Sequence, residues 1–245
     1  MTLIRALGGA HVKLSLSEKH DKINLFYTLE QHATTKRTAD HQFLVYEGKS
    51  WTFKEGYDTV LRYGTWLKTT HAIAPKEIVA VDFMNSPQFV FLWLGLWSIG
   101  AIPAFINYNL TGRPLLHSLK TSTTRIVFVD PQIKHQFTQE VTDTLASSNA
   151  RDGKGPIQTV HFDVALEQHI SRLLGVREPD KSRGAVRLDL AVLIFTSGTT
   201  GLPKPGFVSW QKVVLLSNFL PVWLGMKTID RYYTVRALPL DPLPP

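Results

Sequence analysis

Residues 195–205 read "FTSGTTGLPKP". Thr196, Ser197, Thr199 and Thr200 bring hydroxyl groups, Gly198 and Gly201 bring bare backbone, and Lys204 brings a cation. Each type suits an anion. Without a Cβ, the glycine amides can approach a charged oxygen closely. The hydroxyls add donors. Lys204 is a compact positive charge, and Pro203 before it fixes one backbone angle. These are the parts of a phosphate cradle. The spacing is not that of a Walker A loop, because two residues separate the glycines and the lysine comes three after the second. A polar turn with no ligand uses the same residue types, and composition alone leaves both readings open.

Other chemistry is sparse. The chain has no cysteine, which removes disulfides, thiolate metal sites and a cysteine nucleophile. Its nine histidines are scattered without the close spacing of a zinc site. No Ser–His–acid arrangement is legible, so neither a catalytic residue nor a metal ligand is assigned. His117 reads as a packed polar side chain rather than a catalytic base. Asp82 ends a strand and could face a site, but nothing in the sequence supplies its partner. Phe91, Trp93 and Trp97 read as core, with fatty-acyl contact as the alternative. Arg177, Lys181, Arg183 and Arg187 stand in "GVREPDKSRGAVR", read as a solvated connector in preference to an anion patch.

The elements around the opening loop alternate. "FLVYEG" and "SWTF" form a predicted hairpin with Gly48 in the turn. A helix follows, with Tyr57, Val60, Leu61, Gly64 and Leu67 on one face. "EIVAVDF" is a strand. Ser86 and Pro87 start a helix as cap and first residue, and Gly100 and Pro103 end it before the strand "IPAFI". Thr111 caps a helix through Lys120, and "RIVFVD" is a buried strand. Pro131 opens a helical stretch to about Ala146. "IQTVHF", a helix near residues 164–174 and "LAVLIFTS" complete the order. Strands alternating with helices predict an α/β fold with a mainly parallel sheet flanked by helices. The loop then leaves the C-terminal end of a buried strand, where such sheets bind ligands.

The 245 residues are 44% hydrophobic and 19% charged, an ordinary globular composition. The net charge of +7 suits anionic partners, although the excess is spread along the chain. The N-terminal residues lack the sustained apolar run of a signal peptide. Residues 89–106 carry no charge and just reach spanning length. Their internal punctuation favours a buried helix plus strand, with a membrane element as the alternative.

The run "LIFTSGTTGLPKP" resembles the phosphate-binding signature of AMP-forming adenylating enzymes, the acyl-CoA synthetases and their relatives. "EIVAVDFMNSPQFVFLWLGLWSIGAIPAFINYNLTGRPLLHSLKTSTTRIVFVD" is similar to the very-long-chain acyl-CoA synthetase or fatty acid transport protein branch, and "INYNLTGRPLLHSL" most of all. The resemblance implies ATP-dependent activation of long- or very-long-chain fatty acids. Mg²⁺ assists, an acyl-adenylate forms with release of pyrophosphate, and coenzyme A then accepts the acyl group. It implies that Thr196, Ser197, Gly198, Thr199, Thr200, Gly201 and Lys204 bind the ATP phosphates. It implies the N-terminal part of the family's large domain, incomplete at the C-terminus. The expected division is a tail over 1–22, a first subdomain over 23–190, and the start of a second subdomain with its own sheet over 191–245. The family's adenine, ribose and Mg²⁺ motifs follow the phosphate loop and are not found here, and "DPLPP" cannot continue a strand. The chain is therefore expected to be an inactive fragment by itself. A nucleotide- or acyl-binding regulator and a membrane-associated transport component are the alternatives. The partners implied are fatty acid and nucleotide, not nucleic acid. Peripheral membrane association and the choice among endoplasmic reticulum, peroxisome, lipid droplet and plasma membrane stay open.

Overall fold

A computed structural model describes residues 3–147, 156–196, 202–227 and 230–233. The hairpin is β1 (Gln42–Tyr46) and β2 (Lys49–Thr52), paired antiparallel. Glu47 and Gly48 both take positive φ at its turn, as a two-residue hairpin requires. Thr52 then caps α3 (Phe53–His71). Its hydroxyl accepts from the Glu55 amide while the Glu55 carboxylate accepts from the Thr52 amide.

A six-stranded sheet carries the rest. Its strands are β3 (Ile78–Asp82), β4 (Ile102–Ile106), β5 (Ile126–Val129), β6 (Gln158–His161), β7 (Leu190–Thr196) and β8 (Lys204–Ser209). The spatial order is β6-β5-β3-β4-β7-β8, with only the β7–β8 pair antiparallel. The inner strands β3, β4, β5 and β7 are largely apolar on both faces because helices cover both. On one face, Val79, Val81, Phe105, Ile126 and Phe128 meet α2 (Phe26–Thr34), α3, α4 (Pro87–Ser98) and α7 (Val164–Arg172). On the other, Ala80, Ala104, Ile106, Val127 and Val129 meet α5 (Gly112–Thr121) and α6 (Gln139–Ser147). A third cluster joins α1 (Leu3–Lys19) and α8 (Trp210–Trp223) to α4 through Leu14, Trp97, Trp210 and Val214.

The uncharged stretch 89–106 is a buried helix followed by a strand. Ser86 accepts from the Phe89 amide as the cap, and Pro87 is the first helical residue. Trp97 is buried and donates its indole N–H to the Ala191 carbonyl at 2.9 Å. Among the described residues, no helix is long and apolar enough to cross a membrane.

Three features differ from the sequence reading. Residues 3–19 form a helix rather than a tail. The strand that opens at Leu190 does not start a second sheet. It pairs in parallel with β4, so the sheet continues across the expected 190/191 division. The basic connector is only partly solvated. The Arg183 side chain is fully buried, donating to the Ser98 carbonyl at 2.7 Å and the Glu178 carbonyl at 2.9 Å. Its guanidinium also stacks on Phe26, 4.6 Å from the ring centre. A planar donor fork can tie a loop to a helix end in this way, and composition does not reveal it.

Candidate functional site

Five parallel strands end at one edge of the sheet, at Asp82, Ile106, Val129, His161 and Thr196. The loop from the opening sequence leaves this edge. Thr196 is the last residue of β7 and Lys204 the first of β8, and they face each other in the antiparallel register. The Thr196 hydroxyl donates to the Lys204 carbonyl at 3.4 Å, a long bond across the neck of the loop. Beyond it, Phe195 pairs with Pro205 and Ile194 with Gly206. Both feet of the loop are therefore held by a sheet ladder, and Lys204 is exposed at the mouth. Ser197, Gly198, Thr199, Thr200 and Gly201 lie outside the described residues. Of the predicted set, the structure brings Thr196 and Lys204 together.

The sequence reading missed a contact to the second foot. His117, on α5, places its ring Nε2 3.1 Å from the Pro203 carbonyl oxygen. A carbonyl only accepts, so Nε2 must carry the proton in this bond. Eighty-six residues separate the partners, so no local pattern could have joined them.

Asp82 lies at the same edge of the sheet. It lies at the end of β3, completely buried, and neither carboxyl oxygen has a hydrogen-bond partner. Its neighbours in the sheet are Ile106 and Val129. Asp130 follows Val129, and its amide donates to the Asp82 carbonyl at 2.9 Å. Burial, and secondarily the Asp130 charge, push the Asp82 carboxyl up to about 7. Asp130 is also raised by burial, against the pull of its bonds from the Gln132 and Met84 amides. Among the described residues, no three His, Asp or Glu side chains gather as a metal site.

The chain is an α/β protein in which a hydroxyl- and lysine-bearing sequence joins two strands at the C-terminal edge of the parallel sheet. Comparison with known proteins places it more closely. Residues 29–239 match the family described as AMP-binding enzyme. The chain belongs to that family. It is 40% identical over 177 residues to a very long-chain fatty acid transport protein of Saccharomyces cerevisiae, covering 67% of this chain and 24% of that protein. It is 32% identical over 209 residues to a very long-chain fatty acid transport protein of Cochliobolus heterostrophus, covering 83% and 30%. The chain thus spans about a quarter to a third of the length of these curated relatives. Among solved structures, it superposes on the o-succinylbenzoate CoA synthetase of Bacillus subtilis with a TM-score of 0.68. That match is 20% identical and covers 86% of this chain and 49% of that one. The fatty acyl CoA synthetase of Mycobacterium tuberculosis gives a TM-score of 0.61 at 20% identity, covering 77% and 35%. At such identity these structures establish the fold alone, and it is the α/β fold that the alternating strands and helices predict.

Proposed function

We propose that this chain is the phosphate-binding part of an ATP-dependent, AMP-forming ligase that activates long- or very-long-chain fatty acids. The observation that carries the reading is the Thr196–Lys204 neck at the C-terminal edge of the sheet, in a chain of the AMP-binding enzyme family. In this reading, residues 196–204 hold the β- and γ-phosphates of ATP. The fatty-acid carboxylate attacks the α-phosphorus, and pyrophosphate leaves. The hydroxyls and Lys204 keep the chain of phosphates in line and offset the charge that grows on the leaving group. Coenzyme A then takes the acyl group from the adenylate.

The similarity to very long-chain fatty acid transport proteins favours a second reading, a component of fatty acid transport. ATP binding separates the two. Calorimetry on the 245-residue chain should show ATP or tripolyphosphate binding that Lys204→Ala weakens by about 10-fold or more, since a charged contact contributes about 1.5–3 kcal/mol. Equal affinity in the variant removes Lys204 from the site. No binding to the native chain removes the phosphate reading.

A further inference from the structure

The structure holds a contact that the phosphate reading leaves unused. α5 is fixed from below, because Leu115 and Leu119 are completely buried in the core. From that support His117 reaches the Pro203 carbonyl at 3.1 Å. Pro203 is buried, whereas Lys204 beside it is exposed. The oxygen belongs to the same planar peptide unit as the Lys204 amide. Holding the oxygen therefore sets the direction in which the Lys204 amide, and the start of β8, leave the loop. The opposite foot is tied by Thr196, whose hydroxyl donates to the carbonyl on the far side of Lys204. Lys204 is thus gripped on both sides of its Cα, by a ring from a helix and by a hydroxyl from a strand.

We propose that His117 is a positioning residue that, by donating from Nε2 to the Pro203 carbonyl, aims Lys204 at the phosphates. The inference rests on the phosphate-loop reading. It assigns His117 no proton transfer and no contact with the ligand. The donor matters rather than the ring. Glutamine, which can reach with an N–H, should serve, and phenylalanine, which keeps the bulk and loses the donor, should not.

The test uses the 245-residue chain with His117→Gln, His117→Phe and His117→Ala, and tripolyphosphate as the calorimetric probe. In the native chain, long-range proton–nitrogen spectra should show a protonated Nε2 at His117. Affinity should fall about 5- to 10-fold in the Phe and Ala variants, as expected for one lost hydrogen bond. It should stay within about 2-fold of native in the Gln variant. Combined with Lys204→Ala, His117→Phe should cost almost nothing more, because the two act as one unit. An unprotonated Nε2, native affinity in the Phe variant, or full additivity with Lys204→Ala would each overturn the proposal. A native chain that binds no tripolyphosphate sinks the phosphate reading, and amide exchange at Lys204 then decides the contact. Faster exchange in the Phe variant, restored in the Gln variant, supports positioning. Unchanged exchange refutes it.

Discussion

Asp82 shows what a single residue can carry unseen. In the sequence it is a strand-ending acid without a partner. The structure surrounds it with Ile106, Val129 and Asp130, and burial raises its carboxyl to about 7 from an ordinary value of 3.8. The sign of the consequence is fixed. A carboxyl whose folded value is raised favours the native state fully below the unfolded value. That contribution is lost as pH climbs to the folded value. At 1.36 kcal/mol per unit, the loss between pH 5 and 8 is about 3 kcal/mol. His71 and His161 work the other way over part of this range, because burial lowers both below the ordinary 6.5. The clean measurement is therefore the difference between native chain and Asp82→Asn. Chemical denaturation should show the variant gaining on the native protein by about 3 kcal/mol from pH 5 to pH 8. A difference that does not move with pH would mean that Asp82 ionises freely in the fold. Residue types and spacing pointed to Thr196 and Lys204. They could not show that His117 reaches the Pro203 carbonyl beside Lys204, or that Asp130 stands next to Asp82, because both contacts join segments far apart in the chain.

At the scale of elements, punctuation was the most legible signal. Ser86-Pro87 at the start of α4, Gly100 after it and Gly48 in the hairpin all stand where their backbone chemistry requires. What escaped were three helices, α1, α2 and α8. α1 carries Gly8 and Gly9 in its middle, and α8 is apolar nearly all round with Pro221 inside. Helix packing also turned on a detail that periodicity conceals. Gly64 was read as one member of an apolar face of α3, yet its function is to be small. A Cβ built there would lie 2.3 Å from the Ser98 hydroxyl oxygen and 3.4 Å from the Gly95 carbonyl oxygen. Gly95 in turn lies against Tyr63, so α3 and α4 touch through their glycines. An ordinary helical Gly→Ala change gains about 1 kcal/mol from propensity. Here overpacking should reverse that sign, and larger residues should be worse. Gly64→Val should destabilise the chain by about 1–3 kcal/mol in urea denaturation. A variant as stable as the native protein would show that the helices can separate at no cost.

The whole molecule turns on where β7 lies. The sequence reading gave residues 191–245 the start of a separate sheet, because the resemblance placed a subdomain division there. The pairing of Ala104 with Leu193 and of Phe105 with Ile194 instead joins β7 to the first sheet, and β8 closes that edge. This puts α8 beside α1, with Trp210 and Val214 buried between α8 and the body. The opposite side of α8 is uncovered. Leu216, Leu220 and Trp223 recur at helical spacing there and are 53%, 41% and 59% exposed, with Leu224 at 57%. α1, packed against α8, also exposes Val12 and Leu16. Apolar side chains grouped in this way, rather than scattered, drive association in water. The isolated 245-residue chain should therefore self-associate at micromolar concentration. Sedimentation velocity should show species heavier than 27.6 kDa. Leu216→Glu with Leu220→Lys should return it to a monomer with little loss of stability, because neither side chain is buried in the core. A native chain that sediments as a single monomer across that concentration range would show that the stripe is tolerated in water, and would remove association as the reason for its exposure.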